Sequence, residues 1–263
     1  MEYIENGICI WCKKTKPACT FYEKPHTIPK SLGGKNIGFD ICDVCNHYFG
    51  EPDLLSHPHL AIEPCFKEIF GIIRFLLEFS NPNHKPLNPQ KKLSSIYFNF
   101  WESKKTIQLK SAFKLNSFFI KAFTRQFKRS LYEIFLQEYH YNTKRGLDKK
   151  FNKVRNFARF NKGDLPVNHI KNNGVLLLSN DLSTPALTFE KECLECIDVY
   201  GFYEFWIFGH IFFLEVTPRA EITREVYLRN TIKKFNIGGF VNTSLVPINS
   251  ITEVDFTLRN YLS

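Results

Sequence analysis

The sequence predicts an α+β protein in which a small N-terminal module precedes a larger domain of helices and an antiparallel sheet. Three observations predict this architecture. Four cysteines stand in two Cys-x-x-Cys pairs within the first 45 residues. An apolar residue recurs every four positions from residue 119 to residue 139, which is typical of one face of a helix. Beyond Pro166, short β-branched and aromatic stretches alternate with turn residues and indicate strands.

The first element is defined by the cysteine pairs Cys9-x-x-Cys12 and Cys42-x-x-Cys45. Two such pairs about thirty residues apart are typical of a structural Zn²⁺ site, in which four thiolates complete a closed tetrahedral shell. A closed shell leaves no open coordination position, so this zinc is expected to be a scaffold. Any chemistry must then come from the residues between and after the pairs. These include His26, followed by Thr-Ile-Pro and a double glycine, and Asn46 directly after the last cysteine.

The segment from Cys9 to Gly50, about a sixth of the chain, resembles the HNH endonuclease family, the zinc-stapled form of the ββα-metal fold. The cysteine pairs, the His-Thr-Ile-Pro run, the Gly33-Gly34 pair and the final Cys-Asn occur in the family's order and spacing. The resemblance implies a β-hairpin that carries His26, a turn at the two glycines, and a short helix that begins near Asp43 and carries Asn46.

The resemblance also implies a reaction, metal-dependent hydrolysis of DNA. Phosphodiester cleavage needs a base to deprotonate water and a cation to stabilise charge on the leaving oxygen. The family pattern places the base at His26 and one ligand of a catalytic Mg²⁺ or Mn²⁺ at Asn46. Asn36 is the candidate for the asparagine that braces the loop and orients the histidine, and Asp40 competes for that role. Restriction or phage defence, a mobile element or repair are settings in which such an enzyme would act.

One position departs from the family pattern. In many members the residue before the histidine is Asp, Glu or His and binds the catalytic metal, whereas this chain has Pro25, which offers no side-chain ligand. Glu23, Asp40 and His47 are the possible replacements, and Glu23 can serve only if its strand twists or bulges. Two hypotheses therefore stay open: an active nuclease, and a non-catalytic zinc-stapled protein that binds nucleic acid, in which His26 is a structural histidine.

The charge of the chain is concentrated in one segment. The net charge is +9, and the window from Lys121 to Lys162 alone holds twelve Lys or Arg against three acids, a surplus equal to the net charge of the whole chain. Such a positive field raises the encounter rate with a polyanion. A solvated basic helix face is the alternative, but beside an HNH-like module we predict contact with double-stranded DNA. The residues predicted to contact it are Lys121, Arg125, Lys128, Arg129, Lys149, Lys150 and Lys153.

The remaining elements follow in chain order, within predicted units at 1–58 (the HNH-like module) and 59–263 (the α+β domain). Helices are expected at 63–79, 119–139 and 147–158, the last two within a basic helical region of about 117–162, and a final helix at 221–235. A hairpin joins 96–100 to 106–109. The C-terminal sheet, at about 174–217, is predicted from strands at 175–178, 186–189, 197–208 and 210–216, with a turn at Gly209-His210 and short strands after Gly238-Gly239.

Composition favours a reducing, cytoplasmic location. Half of the eight cysteines are explained by zinc, and the N-terminus lacks the basic and apolar regions of a signal peptide. The most apolar stretches, 69–77 and 202–216, are too short to span a bilayer as helices, so no membrane association is expected. Cys193 and Cys196 form a third Cys-x-x-Cys pair that would need Cys19 and Cys65 to complete a second metal site; otherwise these four are buried, unreactive thiols. A homodimer would suit an enzyme that cuts palindromes, but no interface can be identified in the sequence.

Overall fold

A computed structural model describes residues 2–52, 58–80, 93–101, 104, 106–171, 185, 187–237 and 244–256. The helices within these ranges are α1 (Asp43–Gly50), α2 (Ile62–Ser80), α3 (Ser117–Thr143), α4 (Asn152–Ala158), α5 (Lys191–Val199) and α6 (Ala220–Ile237). The strands are β1 (Phe98–Trp101), β2 (Thr106–Leu109), β3 (Val167–Lys171), β4 (Phe202–Ile207), β5 (His210–Glu215) and β6 (Ser244–Pro247). Short 3₁₀ turns lie at Lys30–Leu32, Lys149–Phe151 and Ile251–Glu253.

Helix α3 is the central element, and it confirms the helix that the four-residue apolar repeat predicted at 119–139. It begins at the N-cap Asn116, whose side chain accepts a hydrogen bond from Phe119 N at 2.8 Å, and it ends at Lys144, which has a φ of 63°. Such left-handed residues commonly terminate helices. The repeat residues are all buried: Phe119, Phe123, Phe127, Leu131, Phe135 and Tyr139. Helix α2 packs against this face, with the rings of Phe66 and Phe70 stacked near Phe127.

The principal sheet is antiparallel, in the order β4-β5-β3-β6. Strands β4 and β5 form a tight hairpin whose two turn residues, Phe208 and Gly209, both have positive φ (43° and 80°). This combination matches the twist of adjacent strands and is favoured in two-residue hairpin turns. The expected hairpin turn is therefore confirmed, one residue earlier than Gly209-His210. One face of the sheet joins the core around α3, while Phe202 and Phe213 pack under Tyr227 of α6.

Parts of the predicted strand pattern are wrong. The strand expected at 197–208 is divided, because α5 continues to Val199 and β4 begins only at Phe202. Apolar residues three and four apart, such as Cys193, Leu194 and Ile197, give this stretch a helical face that its β-branched residues conceal. The described residues of 186–189 form no strand, and residues 175–178 lie outside the described ranges. The sheet also includes β3, which was not predicted, because its polar residues Asn168 and His169 weaken the strand signal.

The other expected elements are confirmed: α2, the β1–β2 hairpin, α4 and α6 lie within a few residues of their predicted bounds. The N-terminal segment and the later helices share one continuous buried core, in which Trp11 and Phe49 belong to the same cluster as Phe66 and Phe135. The domain boundary near 52–58 stays a prediction, since 53–57 lie outside the described residues. Among the described helices, none is both long enough and apolar enough to cross a membrane.

Candidate active site and zinc centre

The four cysteines of the N-terminal module meet at one point. The Sγ atoms of Cys9, Cys12, Cys42 and Cys45 all lie within 4.8 Å of one another, and those of Cys12 and Cys42 are 3.7 Å apart. A tetrahedral zinc with Zn–S bonds of about 2.3 Å requires S···S edges of about 3.8 Å. A hydrogen bond with Cys42 lowers the pKa of Cys12, and a hydrogen bond with Cys12 raises the pKa of Cys45. The donor set and its spacing therefore fit a closed tetrathiolate metal site.

Two arginines, one in α4 and one directly after it, support this site in a way that the sequence does not reveal. Arg159 Nε donates to Cys45 Sγ at 3.2 Å, and its guanidinium lies 3.8 Å from the centre of the Tyr48 ring. Arg155 Nε donates to the carbonyl oxygen of Ile10, between the first two cysteines, at 2.6 Å. Both arginines thus place positive charge beside thiolates whose metal complex is anionic. Hydrogen bonds of this kind orient metal ligands and adjust their basicity.

A third Cys-x-x-Cys pair, Cys193 and Cys196, lines a cavity of about 280 Å³ beside α5. Burial raises the pKa of Cys196 to about 11, which makes its thiol a poor ligand and nucleophile at neutral pH. Cys19 and Cys65 are buried in the core. Within the described residues, the N-terminal cysteines are the group of three or more Cys, His, Asp or Glu side chains that lie close enough together to hold a metal, and none of the eight cysteines forms a disulfide.

The expected hairpin around His26 consists of two extended segments joined by a single bridge. We call residues 25–38 the histidine turn. His26 pairs with Ile37, flanked by hydrogen bonds from Thr27 N to Asn36 O (3.2 Å) and from Gly38 N to Pro25 O (2.8 Å).

The glycines at the end of the histidine turn have separate roles. Gly33 has a φ of 94°, a conformation that L-residues rarely adopt. At Gly34 a Cβ atom would lie 1.9 Å from the carbonyl oxygen of Ile28. The first glycine therefore permits the turn, and the second allows the two segments to approach closely.

His26 has the properties of a neutral base. Its Nδ1 atom is buried and has no hydrogen-bond partner among the described residues. Burial lowers the pKa of His26 below 6.5, and the charges of Lys24 and Lys30 lower it further, whereas Glu63 opposes the effect. The imidazole is therefore neutral at neutral pH, with one unprotonated nitrogen available to accept a proton.

Three of the residues predicted as ligands of the catalytic metal are brought together: Asn46, and two of the possible replacements for the ligand missing at Pro25. Asn46 Nδ2 donates to Glu23 Oε2 at 3.0 Å, and His47 Nε2 contacts Glu23 Oε1. Asp43, the first residue of α1, accepts a hydrogen bond from Glu23 N at 2.9 Å and thereby fixes the backbone that carries this carboxylate. Glu23 thus reaches the helix that bears Asn46, although it stands two residues before the position occupied by Pro25.

Asp40, the third possible replacement ligand, lies elsewhere and is fully engaged. Its carboxylate accepts hydrogen bonds from the backbone N–H groups of Glu5, Asn6 and Gly7 and contacts Nε2 of His140 at 3.2 Å. Burial raises its pKa, but the hydrogen bonds from His140 and the three amides outweigh burial and lower it to about 2. Asp40 therefore ties the N-terminus to α3, and both of its carboxylate oxygens are engaged in these contacts.

Asn36, the candidate for bracing the loop, is held by a residue of α3. Its carbonyl oxygen pairs with Thr27 N, and its side-chain Nδ2 lies 3.2 Å from both carboxylate oxygens of Glu138. Sequence analysis did not identify Glu138 as a partner of this turn, because the two are about a hundred positions apart.

Three of the cations predicted to contact nucleic acid are used inside the protein. Arg129 is 0% exposed, and its guanidinium donates to the carbonyl oxygens of Phe157 and Ala158. Lys128 is buried and pairs with Asp164 at 2.9 Å. Arg125 donates to the carbonyl oxygen of Gly163 at 2.7 Å. These side chains join α3 to the end of α4 and the loop that follows.

The four other predicted cations are exposed or partly exposed at the surface. Lys150 pairs with Asp198 at 2.6 Å, and Lys153 contacts Glu221. Lys121 and Lys149 are exposed. The positive charge of Lys149 also acts on Lys13 of the first cysteine knuckle, which adds a cation that the sequence did not place near α4.

Comparison with protein families supports the resemblance at the N-terminus. Residues 9–52 match the sequence model of HNH endonucleases, a range that holds the four cysteines, the histidine turn and α1. Neither the curated proteins nor the solved structures yield a significant match. The family resemblance is thus confirmed for this segment, and the rest of the chain lies outside the match.

Proposed function

Because residues 9–52 match the HNH endonucleases, we propose that this protein is a metal-dependent endonuclease that hydrolyses phosphodiester bonds in DNA. The meeting of Glu23 with Asn46 and His47 is the observation that carries the proposal. It supplies a carboxylate to the helix that bears the expected metal ligand, which compensates for Pro25.

Carboxylate and amide oxygens suit Mg²⁺ or Mn²⁺. When bound, such a cation would stabilise negative charge on the leaving oxygen. Glu23 would hold it through its carboxylate, together with the carbonyl oxygen of Asn46 and a ring nitrogen of His47. The hydrogen bond from Asn46 Nδ2 to Glu23 leaves the amide oxygen of Asn46 for this purpose. Asp43 keeps the Glu23 backbone in place while these contacts change.

His26 is the proposed general base. One nitrogen of its ring takes the proton of the attacking water, and the lowered pKa of His26 keeps the imidazole neutral and able to accept that proton at neutral pH. The tetrathiolate site holds zinc and fixes the start of α1, since Cys42 precedes that helix and Cys45 lies within it. Lys121, Lys149, Lys150 and Lys153 are the proposed contacts to the DNA backbone, where charge rather than base identity decides binding.

Cleavage of supercoiled plasmid tests the proposal. The purified protein is incubated with plasmid and Mg²⁺ or Mn²⁺, with EDTA in parallel, beside His26→Ala, Glu23→Gln and the control Glu5→Gln. Glu5 is a partly exposed carboxylate of the same module that pairs with Lys144, so its loss should not affect cutting. We expect metal-dependent nicking or linearisation that is abolished by His26→Ala and strongly reduced by Glu23→Gln.

The opposite outcome would favour the non-catalytic alternative. Salt-sensitive DNA binding without cleavage, in either metal, would identify a zinc-stapled binding protein and refute the assignment of His26. We extend the proposal to restriction or phage defence on the family resemblance alone. Resistance of plasmid from a methylating host would support that setting, whereas equal cutting of methylated and unmethylated plasmid would argue against restriction.

A further inference from the structure

Glu138 lies at the point where α3 meets the histidine turn. Its side chain is fully buried. It contacts Thr27 Oγ1 on one segment of the turn, and Asn36 Nδ2 donates to both of its oxygens from the other segment. Thr27 directly follows His26, and Asn36 directly precedes Ile37, the bridge partner of His26. One carboxylate therefore holds both sides of the bridge that carries the proposed base.

The chemistry of the contact requires an acceptor. The threonine hydroxyl and the asparagine amide both donate, and the backbone N–H of Leu187 donates to the same carboxylate. A glutamine at this position would direct one N–H₂ group at donors, so at least one contact would be lost. Burial raises the pKa of Glu138, while the donors from Thr27 and Asn36 favour its charged form. A buried carboxylate is costly unless it is hydrogen-bonded, and the donors from Thr27, Asn36 and Leu187 offset part of that cost.

We propose that Glu138 is a positioning residue for the nuclease reaction, which holds the histidine turn so that His26 faces the scissile phosphate. This inference rests on the proposed function. Glu138 touches neither substrate nor metal and acts only through Thr27 and Asn36. Small displacements of a catalytic group cost large factors in rate. Loss of the contacts from Glu138 to Thr27 and Asn36 should therefore lower kcat. Substrate binding, which depends on surface cations, should stay nearly unchanged.

The test compares Glu138→Gln with the matched control Glu215→Gln. Glu215 is also a buried carboxylate with two hydrogen bonds, to Arg224 at 2.6 and 2.8 Å, but it lies on β5 and does not touch the histidine turn. Plasmid cleavage should show a kcat reduced by about tenfold or more in Glu138→Gln with KM within about twofold. Glu215→Gln should cleave as the wild type does. An unchanged kcat in Glu138→Gln overturns the inference.

Two further measurements keep the inference testable if one variant does not fold or if the wild type does not cut. Thr27→Val removes the hydroxyl from the other end of the contact, and its effect on kcat should not add to that of Glu138→Gln. Additive effects would indicate that Glu138 acts elsewhere. A second readout does not depend on activity. The backbone amides of Thr27 and Gly38 donate across the histidine turn to the carbonyl oxygens of Asn36 and Pro25. Their hydrogen exchange should accelerate in Glu138→Gln and not in Glu215→Gln. Unchanged exchange overturns the positioning role of Glu138. A wild type that does not cleave refutes the proposed function, and the exchange measurement then tests by itself whether Glu138 holds the histidine turn.

Discussion

Asp40 links the N-terminal module to α3, and replacing it with asparagine should destabilise the protein measurably. The carboxylate accepts three backbone hydrogen bonds and one from His140. The tautomer of His140 follows from its other nitrogen: Gly146 N donates to Nδ1 at 3.0 Å, so the proton is on Nε2 and points at Asp40. Asparagine has a similar shape and tolerates the positive φ of this position, 56°. The substitution therefore keeps the shape of the side chain, removes its charge, and replaces one acceptor oxygen by an N–H₂ group that faces donors.

The pKa of Asp40 sets the magnitude. It is lowered from 3.8 to about 2, and each pKa unit corresponds to about 1.4 kcal/mol, so the surroundings favour the carboxylate over a neutral group by about 2 kcal/mol. Because the native pKa lies below the unfolded one, this stabilisation is fully present above 3.8 and is lost as the pH falls toward 2. The cost of Asp40→Asn should accordingly be about 2–3 kcal/mol and constant between about pH 6 and 8.

Urea unfolding with excess zinc measures this cost. The control is Asp198→Asn, which removes a partly exposed carboxylate paired with Lys150 and should cost less than about 1 kcal/mol. A free energy of unfolding for Asp40→Asn within about 0.5 kcal/mol of the wild type at pH 7 would refute the reasoning. So would a cost that changes steadily between the two pH limits, because it would assign the effect to a group that titrates in that range.

Three other substitutions test separate features of the site. Gly34→Ala places a Cβ against the backbone across the histidine turn and should cost at least about 2 kcal/mol in urea unfolding, whereas Gly71→Ala, in an open helical position, should be neutral or stabilising. Arg159→Ala removes the hydrogen bond to a zinc ligand and should speed zinc release to a chelator about tenfold or more; unchanged release would refute that role. Lys30→Ala removes a charge that lowers the pKa of His26, so the acid limb of the plot of cleavage rate against pH should move to higher pH. The move should be no more than about a few tenths of a pH unit, because exposed charges are screened. A shift to lower pH would contradict it.

Short-range signals in the sequence predicted much of this structure. The spacing of four cysteines predicted a site that the Sγ positions fit, and the apolar repeat predicted the buried face of α3. Such patterns work because a helix turn or a cysteine knuckle is specified by residues a few positions apart. Where the same local pattern suits two structures, sequence analysis failed: the stretch that became α5 contains β-branched residues on a helical face. Strand β3 was missed because polar side chains interrupt its alternation.

The site itself was only partly predictable, because its supporting contacts join distant parts of the chain. Glu138 holds Asn36 and Asp43 holds Glu23, yet neither Glu138 nor Asp43 was identified as a site residue from the family pattern. Glu23 was one of several replacements for Pro25, and the sequence could not decide among them. Whether its carboxylate reaches Asn46 depends on the path of the backbone before the histidine turn, and a hydrogen bond to the start of α1 determines that path.

The basic segment shows most clearly why charge counted along a chain overstates what a partner can reach. A helix with apolar and cationic stripes suggests one face in the core and the other in solvent. Helix α3, however, is covered on nearly every side, because the N-terminal module and α4 pack where solvent was expected. Arg129, Arg155 and Arg159 therefore donate to carbonyl oxygens and to the Sγ of Cys45. Part of the basic surplus that suggested DNA binding therefore lies beside the four-cysteine site, and the exposed cations of the segment are the ones left for the proposed contact with DNA.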